Sequence, residues 1–289
     1  MAEGRLGVRK TYKLYIGGAF PRSESGRSYE VKGAGGEFLA NVALGSRKDL
    51  RDAVVAARKA QPAWAKATAY LRGQVLYRAA EMMEGRRGQL ALAVAAAEGA
   101  GSGDAASGVD TAVDRMVWYA GWSDKLAQVA GGANPVAGPY FNFSIPEPTG
   151  VVGILAPESS SLVGLVSVLA PVIVSGNAAV VVASEARPTP AVELAEVLAT
   201  SDLPGGVVNI LTGRTAELAP VLAAHRDVEA LDLAGAPEAL EVDLEVAAAG
   251  NVKRVLRRRK PEPDWAAQPG PERMLHFLET KTVWHPMGL

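Results

Sequence analysis

The sequence predicts an α/β protein in which a parallel sheet is covered on both faces and preceded by a helical region. Three observations lead there. From Val151 onward, strands at about 151–156, 178–183, 207–211 and 228–233 enclose helices at about 161–174, 190–200 and 215–223. Short apolar strands alternating with helices in this way call for a parallel sheet buried on both sides. Upstream, residues 46–128 carry helix periodicity, and between the two regions Tyr140–Ile145 alternates apolar and polar residues.

Taken in order, Tyr12–Phe20 alternates and contains Gly-Gly, which suits a strand and turn. Ser46 opens a helix with Asp49 as capping-box partner, and Leu50, Val54 and Ala57 fall on one face. A second helix runs from about Ala69 to Glu84, with Val75, Leu76, Ala79, Met82 and Met83 inward. A third covers roughly Arg87–Glu98, and the Gly- and Ser-rich stretch 99–108 reads as a flexible break. Val109–Gln128 is helical again, with Val113, Met116, Val117 and Ala120 on a stripe. Trp118, Tyr119 and Trp122 beside it read as core packing. Pro146 and Pro148 mark an edge or a bend after the extended stretch. Beyond the sheet, 237–250 reads as a helix, and 253–260 places six basic residues in eight before a Pro-rich acidic stretch. Such a run in a neutral protein reads as a solvated loop or a polar strand edge. A helical turn at Leu275–Leu278 and a strand at Glu279–His285 close the pattern.

Composition narrows the classes. The 289 residues are 48% hydrophobic and 21% charged, with 30 basic against 31 acidic residues and a formal charge of −1. That balance points to neither a nucleic-acid nor a membrane partner. The sequence contains no cysteine, so it forms no disulfide and supplies no thiolate. No apolar run is long enough to span a bilayer and the start lacks a secretory pattern, which sets the expectation of a cytoplasmic protein. The three histidines, 225, 276 and 285, lack carboxylates at ligand spacing, so no metal site is expected. Ser159-Ser160-Ser161 lies between a strand and a helix without a Gly-x-Ser-x-Gly elbow, which favours a helix-capping role over a nucleophile.

Several segments in register resemble the aldehyde dehydrogenase family. They are YIGGAF at 15–20, WYAGWSDKL at 118–126, FNFSIPEPTGVVGILAP at 141–157, LPGGVVNILTG at 203–213 and FLETKTVW at 277–284. The resemblance implies a Rossmann-like sheet at 151–250, an N-terminal strand and helices at 1–135 packing on it, and oligomerisation strands at 136–150 and 275–289. It also implies that 251–274 is a linker standing where the family has its catalytic domain. In the family, strands near 12–20, 139–147 and 279–285 form a small sheet that pairs with a neighbouring subunit.

The same resemblance marks Pro157, Ser159, Ser184, Glu185, Gly213 and Gly235 as the candidate cofactor-binding positions. Departures from the family pattern accompany them. Glu158 and Ser159 follow Pro157 where the family has Trp-Asn, whose amide helps to hold the oxyanion. Val182, Ala183, Ser184 and Glu185 stand for Lys-Pro-Ser-Glu, so of the two ribose-binding residues only the acidic one remains. Gly235-Ala236-Pro237-Glu238 replaces the Gly-Ser-Thr turn, removing one amide donor and placing a carboxylate where phosphate would sit. No carboxylate in 247–255 matches the family's general base, and the nucleophilic cysteine is missing.

The expectation is therefore an aldehyde-dehydrogenase-like pseudoenzyme with no catalytic residues of its own, inactive as an isolated chain. It would bind no cofactor, or NAD(P) weakly. Its partner would be a full-length aldehyde dehydrogenase, or a further copy of itself, joined through the flap strands. Two alternatives are a self-assembling NAD-type nucleotide sensor and an oxidoreductase completed by a partner's cysteine domain.

Overall fold

The computed structural model describes residues 10–288. The chain opens with β1 (Thr11–Tyr12), β2 (Ser28–Lys32) and β3 (Phe38–Ala43), then α1 (Arg47–Lys66), α2 (Ala69–Gly85), α3 (Arg87–Glu98), α4 (Ser102–Ala120) and α5 (Leu126–Ala130). Two strands follow, β4 (Gly132–Asn134) and β5 (Tyr140–Pro148). The alternating part comprises β6 (Val151–Leu155), α6 (Val163–Val174), β7 (Ala178–Val182), α7 (Thr189–Leu198), β8 (Val208–Leu211), α8 (Thr215–Ala224) and β9 (Ala230–Asp232). A 3₁₀ turn at Glu238–Leu240 leads into α9 (Glu241–Ala249), β10 (Arg254–Leu256), α10 (Glu272–His276) and β11 (Leu278–Pro286).

The central sheet has the order β10-β9-β6-β7-β8, with all neighbours parallel. Val151 pairs with Ala178 and Leu155 with Val182, so β6 and β7 run in step and every residue of both is buried. Successive side chains on a strand point to opposite faces. Val152, Ile154, Ala179 and Val181 accordingly join the core built by α2, α4, α6 and α7. Val151, Leu155, Val180 and Val182 join the other core, under α1, α8 and α9. Helix α6 is buried along nearly its whole length, as its apolar sequence demands.

Helix α1 starts as its sequence prescribes. Ser46 Oγ accepts from the Asp49 N–H at 3.2 Å, and the Asp49 carboxylate accepts from the Ser46 N–H at 2.8 Å. Leu50, Val54 and Ala57 are all buried, and the Trp64 indole donates to the Ile173 carbonyl at 2.8 Å, locking α1 to the end of α6. Tyr119 is buried, and Trp118 and Trp122 pack against the core beside it.

The structure revises several expectations. Residues 99–108 are not a break: α4 begins at Ser102, and only Gly99, at φ +70°, turns the chain. Val117 faces outward, since the stripe on α4 is set by Ala105, Val109, Ala112 and Met116. The 12–20 segment is not a strand of the small sheet. Thr11 and Tyr12 pair with β3, and Tyr15 bridges to Ile210 on the edge of the central sheet. The small sheet is instead β11-β5-β4, in which β11 and β5 pair antiparallel from Leu278↔Pro148 to Pro286↔Tyr140. The basic run contributes β10, the outermost parallel strand.

The stretch that follows β10 is pinned rather than loose. Buried Arg115 donates to Ser167 Oγ at 3.0 Å and to the carbonyls of Trp265 at 2.9 Å and Ala267 at 2.7 Å. Arg273 pairs with Asp232 at the end of β9. Among the described residues, no helix is long and apolar enough to cross a membrane.

Candidate functional site

In parallel α/β sheets, ligands gather outside the carboxyl ends of the strands. The loops leaving β6, β7, β8 and β9 carry all six candidate residues at that edge. The residue that organises it is Glu158. Its carboxylate accepts from Ser184 Oγ, from the Glu185 N–H at 2.8 Å and from the Ala186 N–H at 3.4 Å. Arg187 closes the same loop from its other side. Its guanidinium donates to the carbonyls of Glu158 at 3.0 Å and Ser159 at 3.1 Å, while its N–H donates to Ser184 Oγ.

Glu185 reaches across to the next loop. Its carboxylate accepts from the Thr215 N–H at 2.8 Å and from Arg214 at 2.7 Å. Thr215 is the first residue of α8, so this N–H is one of the helix's free donors at the positive end of its dipole. A helix start of this kind is a ready anion site. Here the anion is the protein's own.

Tyr29 of β2 roofs the pair. Its hydroxyl donates to the Glu185 carbonyl at 3.3 Å, and the Arg214 guanidinium lies 5.1 Å from its ring centroid. Burial, helped by the charge of Glu185, pushes the phenol well above its usual range, so at neutral pH it is a hydrogen-bond donor. A cleft of about 520 Å³ remains between Tyr29, Lys32, Glu158, Arg214 and Pro237. At its far side Glu238 is tied to Arg258 at 3.1 Å and Lys260 at 2.9 Å, and these cations hold its carboxyl below the ordinary range.

Of the six candidate residues, the structure brings Ser184 and Glu185 together, through Glu158, and of the six only Glu185 lines the cleft. Pro157 packs beside Gly164, and Ser159 Oγ donates to Glu262 of the linker. Gly213 abuts Gly45, whose N–H donates to the Thr212 carbonyl at 2.8 Å. Gly235 donates its N–H to the Leu155 carbonyl at 2.8 Å, and a Cβ there would lie 1.9 Å from the Ala156 carbonyl oxygen. Glycine at 235 is therefore a packing requirement between β9 and β6. Sequence reasoning missed Tyr29, Arg187 and Arg214. Arg187 sits three residues past Ser184, a local signal; Tyr29 comes from a strand 156 residues away from Glu185 and leaves none.

The residues present do not suit a dinucleotide's pyrophosphate. At the 235–238 turn Pro237 has no amide N–H to offer and Glu238 adds a carboxylate, while the amides of Glu185 and Thr215 along the same edge are already taken by Glu158 and Glu185. The arrangement closes loops upon one another and leaves a cleft of about 520 Å³ beside them.

Known proteins share this architecture. The family model described as "Aldehyde dehydrogenase family" matches residues 20–257. A putative aldehyde dehydrogenase of Bacillus subtilis (strain 168), DhaS, is 32% identical over 252 residues, which is 86% of this chain and 50% of that protein. The cytosolic 10-formyltetrahydrofolate dehydrogenase of Homo sapiens is 31% identical over 263 residues, covering 88% of this chain and 29% of that one. Among solved structures, a putative aldehyde dehydrogenase from Burkholderia cenocepacia superposes with a TM-score of 0.81 at 29% identity. That match covers 84% of this chain and 50% of the other. An NAD+ complex of an aldehyde dehydrogenase from Bacillus cereus gives 0.80 at 26% identity, covering 85% and 50%. The chain thus spans about half the length, or less, of these relatives, and the catalytic domain is absent. With a family match over most of its length and the same parallel sheet, the chain belongs to the aldehyde dehydrogenase family.

Proposed function

We propose that this chain is a non-catalytic member of its family, a structural or regulatory subunit that assembles with a full-length aldehyde dehydrogenase. The observation that carries the reading is the self-filled edge of the sheet. Glu158 and Glu185 occupy backbone amide donors at that edge, including one at the start of α8. The absence of cysteine from the sequence points the same way.

The small sheet supports assembly. β11 is a nine-residue edge strand whose outer side pairs with no other described strand. Phe141 and Trp284 on this sheet are 49% and 59% exposed. Long unpaired edges carrying aromatic side chains are templates for another chain.

Affinity purification of the tagged chain from its native cells, followed by native mass spectrometry, tests the role. Recovery of a full-length aldehyde dehydrogenase in fixed stoichiometry, lost on Trp284→Ser with Phe141→Ser, is the expected result. Recovery of the bait without a dehydrogenase overturns it.

A second reading, a self-assembling sensor of an NAD-type nucleotide, is favoured by the open cleft under Tyr29 and Arg214. The NAD+ complex of the Bacillus cereus relative makes weak NAD(P) binding a reasonable property to measure. Turnover dependent on Glu185 in a reconstituted assembly would instead favour an oxidoreductase completed by a partner's cysteine domain.

A further inference from the structure

Where the family match ends, at residue 257, the chain builds a chamber of its own. The stretch between β10 and α10 folds back over α4 and encloses about 220 Å³. Arg115 and Tyr119 of α4 line it, with Arg259, Trp265 and Arg273 supplied by the returning segment.

Two features of this chamber bear on a ligand. Arg115 is 6% exposed and forms no ion pair among the described residues, although the charge of Asp264 at the chamber wall favours its charged form. Its guanidinium is held by the Trp265 and Ala267 carbonyls and Ser167 Oγ, which orient it without neutralising it. A buried charge without a counter-ion is costly, and proteins ordinarily pair it. Secondly, Tyr119 is 3% exposed, and it lines the chamber. Burial pushes this phenol up to about 12 against the opposing pull of Arg273 and Arg115, so it keeps its proton at neutral pH and is a donor.

The remaining charges do not cancel the interior. Arg273 is neutralised by Asp232, behind the chamber wall. Arg259 is exposed at the mouth and pairs with no acidic group among the described residues. Asp264 and Glu272 also line the chamber, but both are exposed, and Asp264 already accepts from the Ala266 N–H at 2.9 Å. Solvent screens Asp264, Glu272 and Arg259 alike, whereas the field of buried Arg115 is screened much less. The chamber is smaller than the roughly 300 Å³ at which drug-sized ligand pockets begin, so its occupant has few heavy atoms.

We infer that this chamber binds a small oxyanion, a carboxylate or a phosphate, through Arg115, Arg259 and the Tyr119 hydroxyl. Guanidinium groups suit both, since either oxyanion accepts paired N–H donors. The site is separate from the cleft beside Glu185 and does not depend on the assembly role proposed above.

Calorimetric titration of the full chain at constant ionic strength tests it, with inorganic phosphate in one arm and acetate and succinate in the other. Saturable binding near one equivalent is expected in at least one arm, and the arm that responds identifies the anion. Loss of one charge-assisted hydrogen bond weakens binding about tenfold. Arg259→Gln, at an exposed position that leaves folding intact, and Tyr119→Phe, which removes only the hydroxyl, should each do so. Arg214→Gln, in the other cleft, should not. No saturable binding in either arm, or binding that survives both chamber variants, overturns the inference.

Discussion

The Glu185 carboxylate accepts the N–H of Thr215 at 2.8 Å, so the loop after β7 caps the helix after β8. One side chain thereby joins two neighbouring loops of the parallel sheet and occupies a helix start that would otherwise face solvent or a ligand. Glu158 repeats the device one strand over, on the amides of Glu185 and Ala186.

Removing these two charges should lower the repulsion of an anion at this edge. The double variant Glu158→Gln, Glu185→Gln is expected to bind NAD about tenfold more tightly than the parent, since two like charges near the phosphates are gone. It should lose about 1 kcal/mol of stability with the charged caps. Titration of both proteins with NAD, alongside urea unfolding, reads the two effects. Weaker NAD binding in the variant would favour the sensor reading, in which Glu185 holds the ribose.

Arg273 protects a buried carboxylate. Asp232 is 1% exposed and, among the described residues, accepts from Arg273 and from the Ala234 N–H at 3.1 Å. Arg273→Met leaves that charge unpaired and should cost about 3 kcal/mol. The urea midpoint should fall with the slope unchanged.

Gly235→Ala should be poorly tolerated. The added methyl would overlap the Ala156 carbonyl at 1.9 Å, and that atom is backbone at the end of β6 and cannot rotate away. A loss of about 3 kcal/mol or outright insolubility is expected, measured by thermal unfolding of whatever soluble protein is recovered.

Stability should fall on acidification. His276 has its pKa lowered, chiefly by burial, and its Nε2 is sealed without a partner. His225 is lowered for the same leading reason. A depressed histidine is neutral in the folded protein while the unfolded chain begins to protonate near pH 6.5. The unfolded state then binds more protons, so stability declines as pH drops from about 6.5 through the folded pKa. His276→Gln should flatten that decline, read as the change in urea midpoint between pH 7.5 and a pH below the folded pKa.

Much of the fold was legible because its signals are local. The capping box at Ser46 and Asp49 and the alternating apolar strands each act within a few residues. Local reading failed where distant contacts decide. Glycine and serine made 99–108 look flexible, but packing of Ala105 and Val109 on the core extends α4 through it. The family resemblance made 12–20 look like a partner for the flap. Instead, Tyr15 exchanges hydrogen bonds with Ile210, 195 residues onward, on the edge of the central sheet.

The candidate site divides in the same way. Sequence determined that no cysteine is present and that carboxylates stand at 158, 185 and 238, in the loops after the parallel strands. It also determined the order of strands and helices, through hydrophobic period. Only the tertiary structure decided where those carboxylates point, that Ser159 turns to Glu262, and that Arg115 lies buried beneath the linker. The reason is physical. Periodicity and capping are set by neighbours in the chain, whereas the partner of a charge is set by whichever segment, 26 or 150 residues away, the packed core brings within hydrogen-bond range.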